Sequence, residues 1–156
     1  MKRFLALLLL TLTTAATAAE LPSKERSLLN EVERAQRRGL DWLLQQQKPN
    51  GSWDNHPAVT ALAATAFLRS GKPLTADQQQ AVDHAVKFIL SNVKSNGAIY
   101  AGGETDPYPN YSTAICSMAL MAANRPEYRD AIRNARGRCQ AIVINAGVAF
   151  VFGGGK

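Results

Sequence analysis

The chain has 156 residues, of which 46% are hydrophobic, 7% aromatic and 19% charged, with a formal charge of +6. That length suits one domain with a modest core. Its cations are scattered (Lys24, Arg26, Arg34, Arg37, Arg38, then Arg125, Arg129, Arg133, Arg136, Arg138), mostly at helical spacing among Glu and Asp; they read as solvated helix faces, and no basic stripe interleaved with aromatics marks a nucleic-acid surface.

The first segment reads as a leader. Met1-Lys2-Arg3 is a basic start, Phe4 to Leu12 is an apolar run too short to span a bilayer comfortably, and Ala16-Thr17-Ala18-Ala19 offers small residues for cleavage. Residues 1–19 are therefore expected to be a signal peptide and the protein to be exported to a periplasm or the outside. An uncleaved anchor is the alternative and the one expected route to a membrane. Removing Lys2 and Arg3 leaves 16 basic against 12 acidic residues, a formal charge of +4. In an oxidising compartment Cys116 and Cys139 could pair, although Cys116 sits in an apolar helical run where a small buried hydrophobe is the usual reading.

From Leu28 to Gln47 apolar residues at Leu28, Leu29, Val32, Ala35, Leu40 and Leu43 alternate with charges, which predicts an amphipathic helix. Pro49-Asn50-Gly51 forces a turn after it. Ala58 to Leu68 carries no charge and is rich in alanine, as an interior helix should be; Ser70-Gly71-Lys72-Pro73 stops it. Thr75-Ala76-Asp77-Gln78 matches a capping box and opens a second amphipathic helix, with Val82, Ala85, Val86, Ile89 and Val93 as its stripe and Asn96-Gly97 as its end. A loop holding Gly102-Gly103 and Pro107-Tyr108-Pro109 leads to a second nearly uncharged helix, Ser112 to Ala123, and Pro126 begins a third outer helix with Ala131, Ile132 and Ala135 facing inward.

Outer and inner helices thus alternate, and the alternation is a repeat. Asn96-Gly97 overlays Asn50-Gly51 at a shift of 46 residues, matching Trp42 to Phe88, Leu43 to Ile89, Gly39 to Ala85 and Lys48 to Lys94. Thr113-Ala114-Ile115 overlays Thr60-Ala61-Leu62 at a shift of 53, so the second unit carries seven extra residues in its loop, where functional insertions usually live.

The stretch Arg38-Gly39-Leu40-Asp41-Trp42-Leu43, with Gln47 and then Gly51-Ser52-Trp53, resembles the QW motif of triterpene cyclases. The resemblance covers roughly residues 28 to 137, and Arg38, Gly39, Trp42, Leu43, Gln47, Gly51 and Trp53 carry it. It implies an all-α fold of repeated helical hairpins, an incomplete α/α toroid like the ring shared by squalene and oxidosqualene cyclases and protein prenyltransferase β subunits. In this reading Trp42 and Leu43 lie on an apolar face, and the Gln47 amide and the Trp53 indole clamp the helix end. In the second copy Val93 and Ile99 stand where Gln and Trp would be, so that clamp is lost there. A looser helical solenoid of the armadillo or HEAT type is the competing architecture, though it would alternate less sharply.

Beyond Gly137 the pattern stops. Where an aromatic and a leucine are expected, Arg138-Cys139-Gln140-Ala141 appears, and the end is uncharged up to Lys156. Residues 20–137 are read as a partial repeat domain and 138–156 as an atypical apolar tail. Two expectations follow: a truncated or frame-shifted repeat protein, or a natural apolar C-terminus.

The chemistry of the resembled enzymes is missing from the sequence. There is no Asp-x-Asp-Asp acid motif, no Gly-Cys-Gly-Glu-Gln thioester, and no local spacing that would join Cys116 to His56 or His84 as zinc ligands. No catalytic residue, metal or cofactor is therefore expected. The loops entering the inner helices are the candidate ligand-facing positions, with Asp54, Asn55 and His56 in the first unit and Glu104, Asp106, Tyr108 and Tyr111 in the second; Asp54 and Asp106 read equally as caps, and Tyr108 and Tyr111 as loop packing. The expected function is that of an exported repeat protein whose parent binds an isoprenoid or similar apolar molecule. A non-catalytic module for a peptide or protein is the alternative, and exposed inner surface makes self-association a further expectation.

Overall fold

Five α-helices carry the fold: α1 (Ser23–Gln46), α2 (Pro57–Leu68), α3 (Ala76–Ser91), α4 (Pro109–Ala123) and α5 (Arg129–Asn145), the last preceded by a 3-10 turn at Pro126–Tyr128. The computed structural model describes residues 23–102 and 108–145. The protein is all-α, as the two alternating helix types predict. The leader, Glu104, Asp106 and the residues after Asn145 lie outside the described residues. Helix α5 runs through Gly137, which is exposed within it.

Composition sorts the helices into layers. α2 and α4 hold almost no charge, and their alanines, threonines and Cys116 can lie close to neighbours on several sides; α2 packs against both α3 and α4, and α4 against α5. The core centres on Phe67, Ile89, Ile99 and Leu120, all fully buried, with Val82, Ala85 and Cys116 around them. Of the expected stripe of α3, Val82, Ala85, Val86 and Ile89 are buried within the helix, whereas Val93, half-buried, lies beyond its end at Ser91. Ala135 of α5 is buried and Ala131 and Ile132 are half-buried against the core. The capping box forms as read, Thr75 accepting from the Gln78 amide and Gln78 from the Thr75 amide.

Helix α1 is the outlier. It touches the rest mainly through Leu40, Leu43 and Leu44, while Leu28, Leu29 and Val32 remain exposed. Polar ties hold its length: Glu33 to Lys72 at 2.9 Å, and the Gln36 side-chain amide to the Ser70 carbonyl at 2.8 Å. The hydrogen bond and charge of Lys72 hold the Glu33 carboxyl below its ordinary pKa.

The two turns that deliver the chain into α2 and α4 have the same construction. Lys48 donates to the Ser52 carbonyl and Gly51 to that of Lys48; 46 residues on, Lys94 donates to Ala98 and Gly97 to Lys94. The Asn50 carboxamide oxygen accepts from the Ser52 amide, and that of Asn96 from Ala98. Asn96-Gly97 therefore forms the turn and does not end α3, which stops at Ser91 with Asn92 as cap.

A threonine inside each inner helix then locks the incoming strand. The Trp53 amide donates to Thr60 Oγ1 at 3.0 Å and the Ile99 amide to Thr113 Oγ1 at 3.0 Å, while each hydroxyl donates to the carbonyl four residues before it, His56 or Pro109. Thr60→Val keeps the shape but leaves a buried amide unpaired, so it is expected to cost about 1–3 kcal/mol in chemical denaturation, and Thr113→Val a similar amount. Thr60→Ser should recover most of that loss; equal stability of the Val and wild-type chains would remove the lock from the account.

Candidate functional site

Leu43, Gln47, Gly51 and Trp53 come together at the end of α1, with a division of labour the sequence did not reveal. The Gln47 carboxamide donates to the Gly51 carbonyl at 2.9 Å and to the Ala81 carbonyl of α3 at 2.8 Å. It therefore ties the turn to the next outer helix and does not clasp an indole. The Trp53 indole N–H donates to the Leu43 carbonyl at 2.9 Å, satisfying one of the orphan carbonyls at the α1 C-terminus. Trp53 is buried, tilted against Phe67 with ring centroids 6.2 Å apart. Leu43 is half-buried beside it, but Trp42 is 58% exposed, so its expected apolar face is not covered within the described residues. Arg38 and Gly39 are exposed as well.

Trp42 forms one wall of a groove of about 530 Å³ between α1 and α2. Leu43 and Gln46 continue that wall; Trp53 closes the turn end, and Val59, Leu62, Ala63 and Ala66 of α2 form the opposite side. Lys48 and Asp54 are the ionisable groups lining it, and both are exposed. Such a groove can desolvate an apolar body and offers it an indole face. It holds no nucleophile beside a base among its lining residues.

The ligand-facing candidates separate. Asp54 lines the groove and, with Asn55, takes a left-handed backbone (φ 57° and 51°), a conformation that Asp and Asn tolerate better than other side chains. Asn55 is fixed there by bonds from Asn50 Nδ2 at 3.0 Å and Ser52 Oγ at 3.2 Å. His56 serves as the α2 N-cap, its Nδ1 accepting from the Ala58 amide at 3.2 Å. Tyr108 and Tyr111 stand exposed at the start of α4 and are not among the groove residues. Asp106 lies outside the described residues. Met118 and Met121 of α4 are exposed as well, apart from the groove.

Among the described residues no group of three His, Cys, Asp or Glu side chains could hold a metal ion, and no helix is long and apolar enough to cross a membrane. Cys116 is buried and Cys139 half-buried; the two are not joined in a disulfide, and burial pushes the Cys139 thiol up from its ordinary pKa. Comparison of the chain with protein-family models, with curated proteins and with solved structures found no match.

Proposed function

We propose that this chain is an exported hairpin-repeat protein of the α/α-toroid type that acts by binding an apolar partner and has no catalytic centre of its own. The observation that carries the reading is the groove in which Trp42, Val59 and Leu62 stand open to solvent beside a buried Trp53. A soluble domain gains nothing for its own stability from an exposed indole next to two exposed aliphatic side chains; such clusters mark binding surfaces. The QW-type spacing supports the toroid part of the proposal, and the basic, apolar and small-residue order of residues 1–19 supports export.

Two occupants fit the chemistry, an isoprenoid-like chain or an apolar peptide. The test is fluorescence titration of the full chain with farnesol and, separately, with an amphipathic helical peptide. The proposal expects a saturable blue shift of Trp42 with at least one of them and its loss in Trp42→Ala. Unchanged emission with both, up to their solubility limits, would sink it.

A further inference from the structure

The groove is one end of a longer surface, and the internal repeat shows what covers its equivalent. On α1 that surface runs along Ala35, Gly39 and Trp42, all exposed; their counterparts 46 residues on are Ala81 and Ala85, buried, and Phe88, half-buried. On α2 it continues through Val59, Leu62 and Ala66, again all exposed. The counterparts 53 residues on are Ser112 and Ala119, buried, and Ile115, half-buried. At each of the six matched positions the first unit is open where the second is covered. The element that packs most extensively on the second unit from the first is α2, which lies against both α3 and α4.

We infer that the open α1/α2 face is the docking seat for a single uncharged, alanine-rich α-helix of the α2 kind, supplied by another polypeptide and seated against α1 and α2 as α2 is seated against α3 and α4. The inference rests on the binding role proposed above and names the occupant. Its chemistry follows from the surface that receives it. Gly39 would meet nothing within 4 Å if it carried a Cβ, so no neighbour in this chain requires a glycine in the middle of α1. A glycine there weakens the helix relative to alanine, and close approach of a second helix backbone gives it a use. The face contributed by α2 is Val59, Leu62 and Ala66, with no charge to pair, so a charged helix would lose solvation without compensation. The seat is also continuous with an interface that the fold already uses, the one α2 makes with the second unit.

The probe is a synthetic peptide of residues 55–70, held helical by a hydrocarbon staple replacing Leu62 and Ala66, two of the three positions that α2 leaves exposed in this chain. Added to the full-length protein, it is expected to blue-shift Trp42 and to slow amide exchange along α1 from Leu28 to Gln46 as well as around Val59–Ala66. Leu62→Lys in the protein should weaken the peptide at least tenfold without changing far-ultraviolet circular dichroism, because that side chain is 51% exposed. Met121→Lys, on α4 and apart from the groove, should leave the affinity unchanged. The inference is overturned if binding is lost with Met121→Lys and kept with Leu62→Lys. It is also overturned if farnesol shifts Trp42 and protects only Trp42–Ala66 while the peptide does nothing; that outcome leaves the apolar-binding proposal standing. Silence of both probes defeats both.

Discussion

Gly51→Ala is expected to be among the most damaging single-atom changes in this protein, costing about 3–4 kcal/mol through backbone strain and collision together. Gly51 has φ of +84°, and a Cβ built there would lie 2.5 Å from the His84 carbonyl oxygen and 2.8 Å from its carbon. Those atoms belong to the backbone of α3 and cannot rotate away. The turn would have to lift off α3, and with it the Gln47 bond to the Ala81 carbonyl. Gly71 supplies the internal control: its φ of +75° imposes the same conformational strain, but nothing lies within 4 Å of its Cβ position. Gly71→Ala should therefore cost only about 1–2 kcal/mol, the left-handed penalty alone. The difference between the two denaturation midpoints measures the close approach of the turn to α3. Equal losses would mean that the turn is free to move. For a domain of this size the Gly51→Ala loss corresponds to a fall in Tm of about 10 °C or more.

The repeat makes the same argument a second time. A Cβ at Gly97, whose φ is +81°, would meet the Asn134 side chain at 2.9 Å and its backbone at 3.0 Å. Each turn thus rests on the following outer helix, α3 for the first and α5 for the second. This stacking gives the array its order: a helix end, a glycine turn pressed onto the next outer helix, and a threonine that locks the strand into the inner helix. Among the described residues the first unit is packed on its downstream side, while Trp42, Val59 and Leu62 stay exposed.

Local signals were legible in the sequence because their causes are local. The Thr75–Gln78 capping box, the uncharged α2 and α4, and the stripe of α3 from Val82 to Ile89 each depend on residues within a few turns, and each is present. Features that depend on a distant partner were not legible. The Gln47 side chain reaches a carbonyl 34 residues away, which no spacing within the motif encodes. Nor does the pattern tell which indole is covered, since Trp42 and Trp53 both border apolar residues, and among the described residues Trp53 is buried while Trp42 is 58% exposed. Asn96-Gly97 is a turn signal in either reading, but Asn92 caps α3 earlier, its backbone amide donating to the Ile89 carbonyl and its side-chain amide to that of Phe88. The capping role of His56 depends on its extended backbone at φ −119°, ψ 125°, which its place in the loop does not encode. The threonine lock had a visible signal, Thr113 over Thr60 at the same shift that aligns the inner helices, and the Trp53 and Ile99 amides that the two hydroxyls accept from give that match its meaning.

The two tryptophans should separate stability from binding. Trp53→Ala removes a side chain that is only 5% exposed and is expected to cost about 3–5 kcal/mol, the sum of lost burial and a cavity beside Phe67. Trp53→Phe keeps most of the apolar volume and gives up the indole bond to the Leu43 carbonyl, so a loss of about 1–2 kcal/mol is expected. Trp42→Ala, at a side chain 58% exposed, should change stability by less than about 1 kcal/mol. If the groove binds an apolar partner, the order reverses for affinity: Trp42→Ala abolishes binding while the chain stays folded, and Trp53→Phe preserves it while the chain is weakened. Urea denaturation and ligand titration on the same three variants test both orders. A Trp42→Ala chain that binds as well as wild type would show that the exposed indole does not belong to the binding surface, and the groove would then be only a gap between two loosely packed helices.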